Sequence, residues 1–296
     1  MTTDAWFAGI DPDDADAAAE RIRNGSADEP DDWPARAVAD GFAADEGAYY
    51  AALREATIDA ARDAAAERER ADDRQLVHAV RAMDDAERTA NELAERLSEW
   101  AGTLYSEAGT GVEYARELAD REPEGPVEER VVSLARRVVD LADERDALRA
   151  FVERRAPDAA PNLAEMAGPV LAARLLSLAG GLDALAKKPS GTVQVLGAED
   201  ALFAHLAGRA PSPKHGVIFT HEYVRGTRPA DRGSAARALA GKLTLAARVD
   251  NYGGEFRPEL HEDLRERIET IRARADEAED GGGARRGDGD AGGDDR

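Results

Sequence analysis

Apolar residues recur along most of this chain at steps of three and four, and that pattern outlines its elements. The first exception is AWFAGI at residues 5–10, a short apolar run with two aromatics that reads as a strand. DPDDADAAAERIR follows, with Asp11 as a cap and Pro12 at the first helical position, a helix start. GSADEPDDWP reads as a loop. A second helix begins near Asp45, with Tyr49, Leu53 and Ala56 at helical spacing. These elements predict a small N-terminal α/β domain over residues 1–65.

From Asp72 the stripe sharpens into Leu76, Val80, Met83, Ala90, Leu93, Leu97 and Trp100. A second stripe runs through Val127, Val131, Leu134, Val138, Leu141, Leu148 and Val152, with Arg145 at the one skipped position. The 4-3 alternation is that of a heptad. Two long helices joined by the connection AGTGVEYARELADREPEGP, read as a loop, predict an antiparallel coiled-coil helical hairpin over 66–156. Two helices of an ordinary bundle would give the same periodicity.

Between Pro157 and Pro161 the texture changes to a more apolar, glycine-richer sequence, so a mostly helical globular domain is expected over 157–276. Within it TVQVLG and GVIFT are strand candidates, and EDALFAHLAG is a capped helix. DRGSAARALAGKLTLAARVD and PELHEDLRERIETIRARADEAE are amphipathic helices. The low-complexity tail, 277–296, is expected to be disordered, and its RGD tripeptide is a consequence of composition. The fold class expected is therefore mainly α.

Composition narrows the chemistry. The chain has no cysteine, which excludes disulfides, thiolate metal sites and thiol catalysis. It has no apolar run long enough to span a bilayer and no signal-peptide layout at its start, so a cytoplasmic protein without membrane contact is expected. Its 61 acidic and 39 basic residues give a net charge of −22. The acids are spread over many segments, as in surfaces that stay soluble in a salt-rich cytoplasm. All four lysines (Lys187, Lys188, Lys214 and Lys242) nonetheless fall in one region. Residues 186–250 hold ten basic and five acidic side chains together with His205, His215 and His221. That local reversal of sign suits a phosphate backbone, and imidazoles and Gln194 suit stacking on and reading of RNA bases. Routine helix-surface arginines, with Arg237 and Arg248 paired to their own acids, are the plain alternative.

Other chemistry finds little support. The histidines lack HxH or HExxH spacing, and no glycine-rich phosphate loop is present. Neither a nucleophile elbow nor a desolvated carboxylate pair can be picked out. No enzyme activity, cofactor or metal is expected.

The segments APNLAEMAGPVLAARLLSLAGGLDALAKKPSGTVQVLGAEDALFAHL, SPKHGVIFTHEYV and ARALAGKLTLAARVD resemble the Nop domain. That family includes the archaeal core protein of box C/D small ribonucleoproteins, two eukaryotic nucleolar relatives and a spliceosomal one. The resemblance extends upstream to about residue 33. It implies a scaffold whose N-terminal domain docks a fibrillarin-like methyltransferase and whose coiled coil forms a homodimer. The C-terminal Nop domain would recognise kink-turn box C/D guide RNA already carrying a small ribosomal-protein-like partner. Fibrillarin then methylates ribose 2′-OH groups of rRNA or tRNA with S-adenosylmethionine; DNA is not an expected partner.

Carried over by position, the RNA-facing residues are Lys187, Lys188, Pro189, Gln194, Gly197, Ala198, Glu199, Lys214, His215, Arg237 and Lys242. Self-association is assigned to Leu76, Val80, Met83, Leu93, Leu97, Val131, Leu134, Val138, Leu141 and Leu148. The sequence departs from the family pattern at Asp200 and Ala204, where the GAEK and ALFR signatures would supply cations. The N-terminal domain also looks abbreviated. A coiled-coil adaptor whose basic region binds an acidic protein is the competing expectation.

Overall fold

The computed structural model describes residues 5–27, 29–107 and 109–283, with side chains through residue 274. It divides into two compact units, residues 1–71 and 72–296. The described residues are helical wherever they are regular, so the mainly-α expectation holds and the α/β character of the N-terminal part does not.

In the first unit α1 (Ala15–Asn24) and α2 (Trp33–Ala39) pack on α3 (Glu46–Arg70). Asp14, Asp32 and Asp45 cap these helices, each accepting a backbone N–H in the first turn. The first helix thus starts later than Asp11, whose carboxylate closes the preceding turn by accepting from Asp13 N. AWFAGI is not a strand. Ala8 N donates to Ala5 O and Ile10 N to Phe7 O, and Gly9 takes a left-handed φ of 72°. Among the described residues no strand lies beside it, and the backbone bonds to itself while Phe7 packs against Phe42 and Tyr49.

The second unit is built on α4 (Asp72–Ala101) and α6 (Pro126–Ala159), which pack along each other. Most of their apolar stripe residues are spent within the chain, whereas Trp100 and Val127 at the far end stay exposed. Leu76, Val80 and Met83 lie in one core with Val152 and the C-terminal helices, and Leu97, Val131 and Val138 lie in a second core at the far end. Leu93, Leu134 and Leu148 pack against these cores, and Leu141 is half-buried. Side chains buried this way are not a surface for a second copy. Arg145 at the skipped position pairs with Asp146 at the hairpin surface.

The expected loop between the stripes contains α5 (Gly111–Ala119). Tyr114, Ala115 and Leu118 fill the far core from its open side. Spacing of three and four was present there, but the run is short and bracketed by glycine and proline.

The C-terminal part contains α7 (Pro161–Ala167), α8 (Pro169–Ala179), α9 (Leu182–Ala186), α10 (Ser190–Val195), α11 (Glu199–Leu206), α12 (Glu222–Arg225), α13 (Arg232–Tyr252) and α14 (Glu259–Gly283). Helix α13 is central and packs against α7, α9, α10, α12 and α14. TVQVLG is therefore helix α10 and not a strand, because Val193 is wholly buried with the α13 residues of the same core. Tertiary burial overrides β-propensity here. GVIFT forms a 3-10 turn, Val217–Thr220, around the buried Ile218.

One polar clamp closes this core. Asn162, 3% exposed, gives its N–H and Nδ2 to the Asp250 carboxylate at 3.0 and 2.6 Å, and Leu163 N donates to the same group at 2.9 Å. Asn162 Nδ2 also donates to Glu255 O, and its Oδ1 accepts from Arg257 N. The PNL signature is thus a helix start tied to the end of α13. Among the described residues no helix is long and apolar enough to cross a membrane. The tail expected over 277–296 begins inside α14, and its residues beyond 283 lie outside those described.

Candidate nucleic-acid interface

Two backbone bonds hold the centre of the basic segment together. Gly216 N donates to Gln194 O at 2.9 Å and Val217 N to Leu196 O at 2.7 Å, joining the end of α10 to the PKHG segment. The approach is so close that a Cβ at Gly216 would fall 1.9 Å from Leu196 O. Gln194 adds a third tie by donating its Nε2 to Lys214 O at 2.7 Å. Its amide donor is spent on positioning Lys214.

Lys214 is exposed, and its stem runs along the first turn of α13, 3.7–3.9 Å from where a Gly233 side chain would start. Arg237 is one turn further on that face, exposed and without an ion pair among the described residues. The His215 ring stacks on Phe219 at 4.6 Å and 22°, and the Arg232 guanidinium lies over the same Phe219 ring at 5.4 Å. Arg232 is fixed there by donating to Thr227 O and Arg225 O. Burial, followed by Arg232 and Lys214, pushes the His215 pKa down, which favours the neutral imidazole. Lys214, His215, Phe219, Arg232 and Arg237 make a cationic and aromatic ridge. Phe219 escaped sequence reasoning and Arg232 was counted only as one of the segment's ten basic residues, although a ring four residues after His215 was the available signal.

The other expected residues divide by role. Pro189 precedes α10 as its N-cap, with extended backbone. Gly197, in the left-handed region at φ 79°, donates its N–H to Glu199 Oε1, so Gly197, Ala198 and Glu199 form the turn into α11. Lys242 pairs with Asp263 of α14 at 2.7 Å, its side chain 24% exposed, so its charge is already matched by an acid of the same chain. Lys187 pairs with Asp183 one turn back, and Lys188 is half-buried. These two lysines lie beside α9, away from the ridge. Arg248, expected to pair with an acid, instead donates Nε to Ala186 O.

Helix α11 has no buried residue; Phe203 is 63% and Leu206 72% exposed. Asp200 and Ala204 leave its surface apolar and acidic. His205 faces Ala210 O at its end, whereas His221 has a structural place. The His221 Nε2 lies 3.1 Å from Met166 O and its Nδ1 accepts from Tyr223 N, capping α12. Its pKa is pushed down mainly by burial, with His261 adding to the effect and the Met166 bond opposing it. No group of three His, Cys, Asp or Glu is placed to hold a metal among the described residues.

Comparison with known proteins gives a consistent result. The Nop family model, described as "snoRNA binding domain, fibrillarin", matches residues 71–271. An uncharacterized NOP5 family protein of Methanocaldococcus jannaschii is 35% identical over 237 residues, covering 68% of this chain and 57% of that protein. Nucleolar protein 56 of Saccharomyces cerevisiae is 39% identical over 145 residues, covering 48% of this chain and 29% of that protein. The crystal structure of a fibrillarin/Nop5p complex contains a chain that superimposes with a TM-score of 0.50 at 27% identity, covering 86% of this chain and 92% of that one. This chain spans little more than half the length of the first of these curated relatives, and less of the second.

Proposed function

The chain belongs to the Nop family, and from that membership we propose that it is a non-enzymatic RNA–protein scaffold of a box C/D small ribonucleoprotein. The observation that carries this reading is the ridge of Lys214, His215, Phe219, Arg232 and Arg237 in a module that also exposes the apolar α11. A ridge of cations and rings suits kink-turn guide RNA. An exposed apolar helix in the same module suits a small protein already seated on that RNA. The chemistry falls to a fibrillarin-like methyltransferase, which supplies S-adenosylmethionine-dependent 2′-O-methylation of rRNA or tRNA. The N-terminal unit is the assigned place for its docking.

Self-association belongs to the outward residues at the far end of the hairpin. Trp100, Leu104 and Val127 are 39%, 38% and 49% exposed there, whereas the seam is consumed internally. Function in a salt-rich cytoplasm fits the acidic surface. At about 1 M salt the Debye length is about 3 Å, so hydrogen bonding, stacking and apolar contact carry affinity better than long-range attraction.

A gel-shift series with box C/D RNA, with and without the kink-turn protein, tests the proposal at high salt. The expected result is a supershift that requires the kink-turn protein and is lost in the Lys214→Ala/His215→Ala double variant, whose melting curve is unchanged. Unaltered affinity in that variant would remove the ridge from the interface. A complex that survives ribonuclease and contains an acidic protein would favour the adaptor reading.

A further inference from the structure

The basic segment does not fold into one patch. Lys214 lies against the first turn of α13 at Gly233, whereas Arg248 reaches Ala186 at the end of α9, in the last turns of α13. The helix between Gly233 and Arg248 is about 22 Å long at 1.5 Å per residue. A single phosphate or base cannot bridge that distance, so the ridge and the cations around α9 must meet different parts of a ligand.

The second patch has its own composition. Leu245, Arg248 and Tyr252 follow one another at steps of three and four, which puts them on one face of α13. Leu245 is 43% and Tyr252 67% exposed. Lys187 caps the end of α9 and Lys188 follows it, directly after Ala186, the residue that Arg248 bonds. The Lys187 pKa is raised first by its bond to Asp183, and the Tyr252 phenol lies within its electrostatic reach. Among the described residues, Arg248 is bonded only through Nε to Ala186 O, leaving its outer N–H groups without a partner. Asp250, the acid nearest in sequence, is turned inward to Asn162 and Leu163. An exposed ring beside the outer N–H groups of Arg248 and the Lys187–Asp183 pair, with Asp250 engaged elsewhere, suits an unpaired base and its flanking phosphates.

We infer that Tyr252, Arg248, Lys187 and Lys188 form a second RNA contact, separate from the ridge, that takes single-stranded RNA by stacking one base on Tyr252. The inference rests on the scaffold reading and assigns it a further strand: an unpaired segment lying beyond the kink-turn.

The test uses the full chain and a labelled oligouridylate of about 12 nucleotides, with a duplex of equal length as competitor. Tyr252→Ala should weaken single-strand binding about tenfold with no change in its salt dependence, and Tyr252→Phe should restore it. Arg248→Gln should reduce the log–log salt slope by about 0.7. Tyr252 is exposed, so an unchanged melting temperature confirms that the variant folds. Unchanged oligouridylate affinity in Tyr252→Ala overturns the inference, as does preferred binding of the duplex. If that variant instead loses an acidic protein partner while keeping RNA, the patch is a protein-docking face and the inference also fails. The kink-turn supershift separates the two levels: it persists in Tyr252→Ala if only the second contact is wrong, and is absent from the unmodified protein if the scaffold reading is wrong.

Discussion

Replacing Asn162 by alanine should unfold the C-terminal unit far more readily than the loss of a small side chain suggests. The side chain makes three hydrogen bonds: Nδ2 to Asp250 at 2.6 Å, Nδ2 to Glu255 O at 2.8 Å, and Oδ1 from Arg257 N at 2.6 Å. The bond to a carboxylate is worth about 1.5–3 kcal/mol and each of the others about 1 kcal/mol, so the sum is about 4 kcal/mol. In a unit of this size that lowers the melting temperature by about 8–16 °C. Asn162→Asp is the sharper probe. It keeps the volume but faces one carboxylate with another, so it should cost more than alanine near neutral pH. Its deficit should shrink as the pH falls and the facing pair takes up a proton. Circular dichroism melts of both variants across pH are the assay. A shift below about 2 °C for Asn162→Ala, or a pH-independent deficit for Asn162→Asp, would refute the reasoning.

Two further predictions concern pH and the hairpin. The folded-state pKa of His221 is depressed, so the unfolded chain takes up its proton first as the pH falls. The stability from neutral His221 should be complete above about pH 6.5 and lost as the pH drops from there towards the folded value. Denaturant melts at about pH 7.5 and 5.5 should therefore differ more for the native chain than for His221→Asn; equal differences would exclude the effect. Leu97→Ala should destabilise by about 2–5 kcal/mol at every protein concentration, because its cavity lies inside one chain. Trp100→Ala should leave the melt unchanged and weaken self-association in sedimentation. The reverse pattern would place the seam between copies.

Much of this architecture was legible because long amphipathic periodicity resists misreading. The stripes from Leu76 to Leu97 and from Val131 to Val152 outlined both hairpin helices, and the helical spacing of Tyr49, Leu53 and Ala56 placed the start of α3 near Asp45. Short apolar runs failed for the opposite reason. AWFAGI, TVQVLG and GVIFT carry strand-like composition, but whether six residues pair, coil or turn depends on what covers them. At the interface, Lys214, His215 and Arg237 could be named from charge and resemblance. The ion pair of Lys242 with Asp263, the amide tie of Gln194 and the split of the basic segment between the ends of α13 are products of tertiary packing. Residue type alone does not carry them.

Helix α4 runs unbroken for 30 residues from a start within the C-terminal core to an end within the far core of the hairpin. It is therefore a ruler about 45 Å long, with a phase as well as a length. Inserting seven residues in register into both α4 and α6 would move the tip outward by about 10 Å with a rotation of only about 20°. Inserting one residue in each would move it by about 1.5 Å but swing its outward face through about 100°. An assembly held together at the tip should tolerate the first change far better than the second.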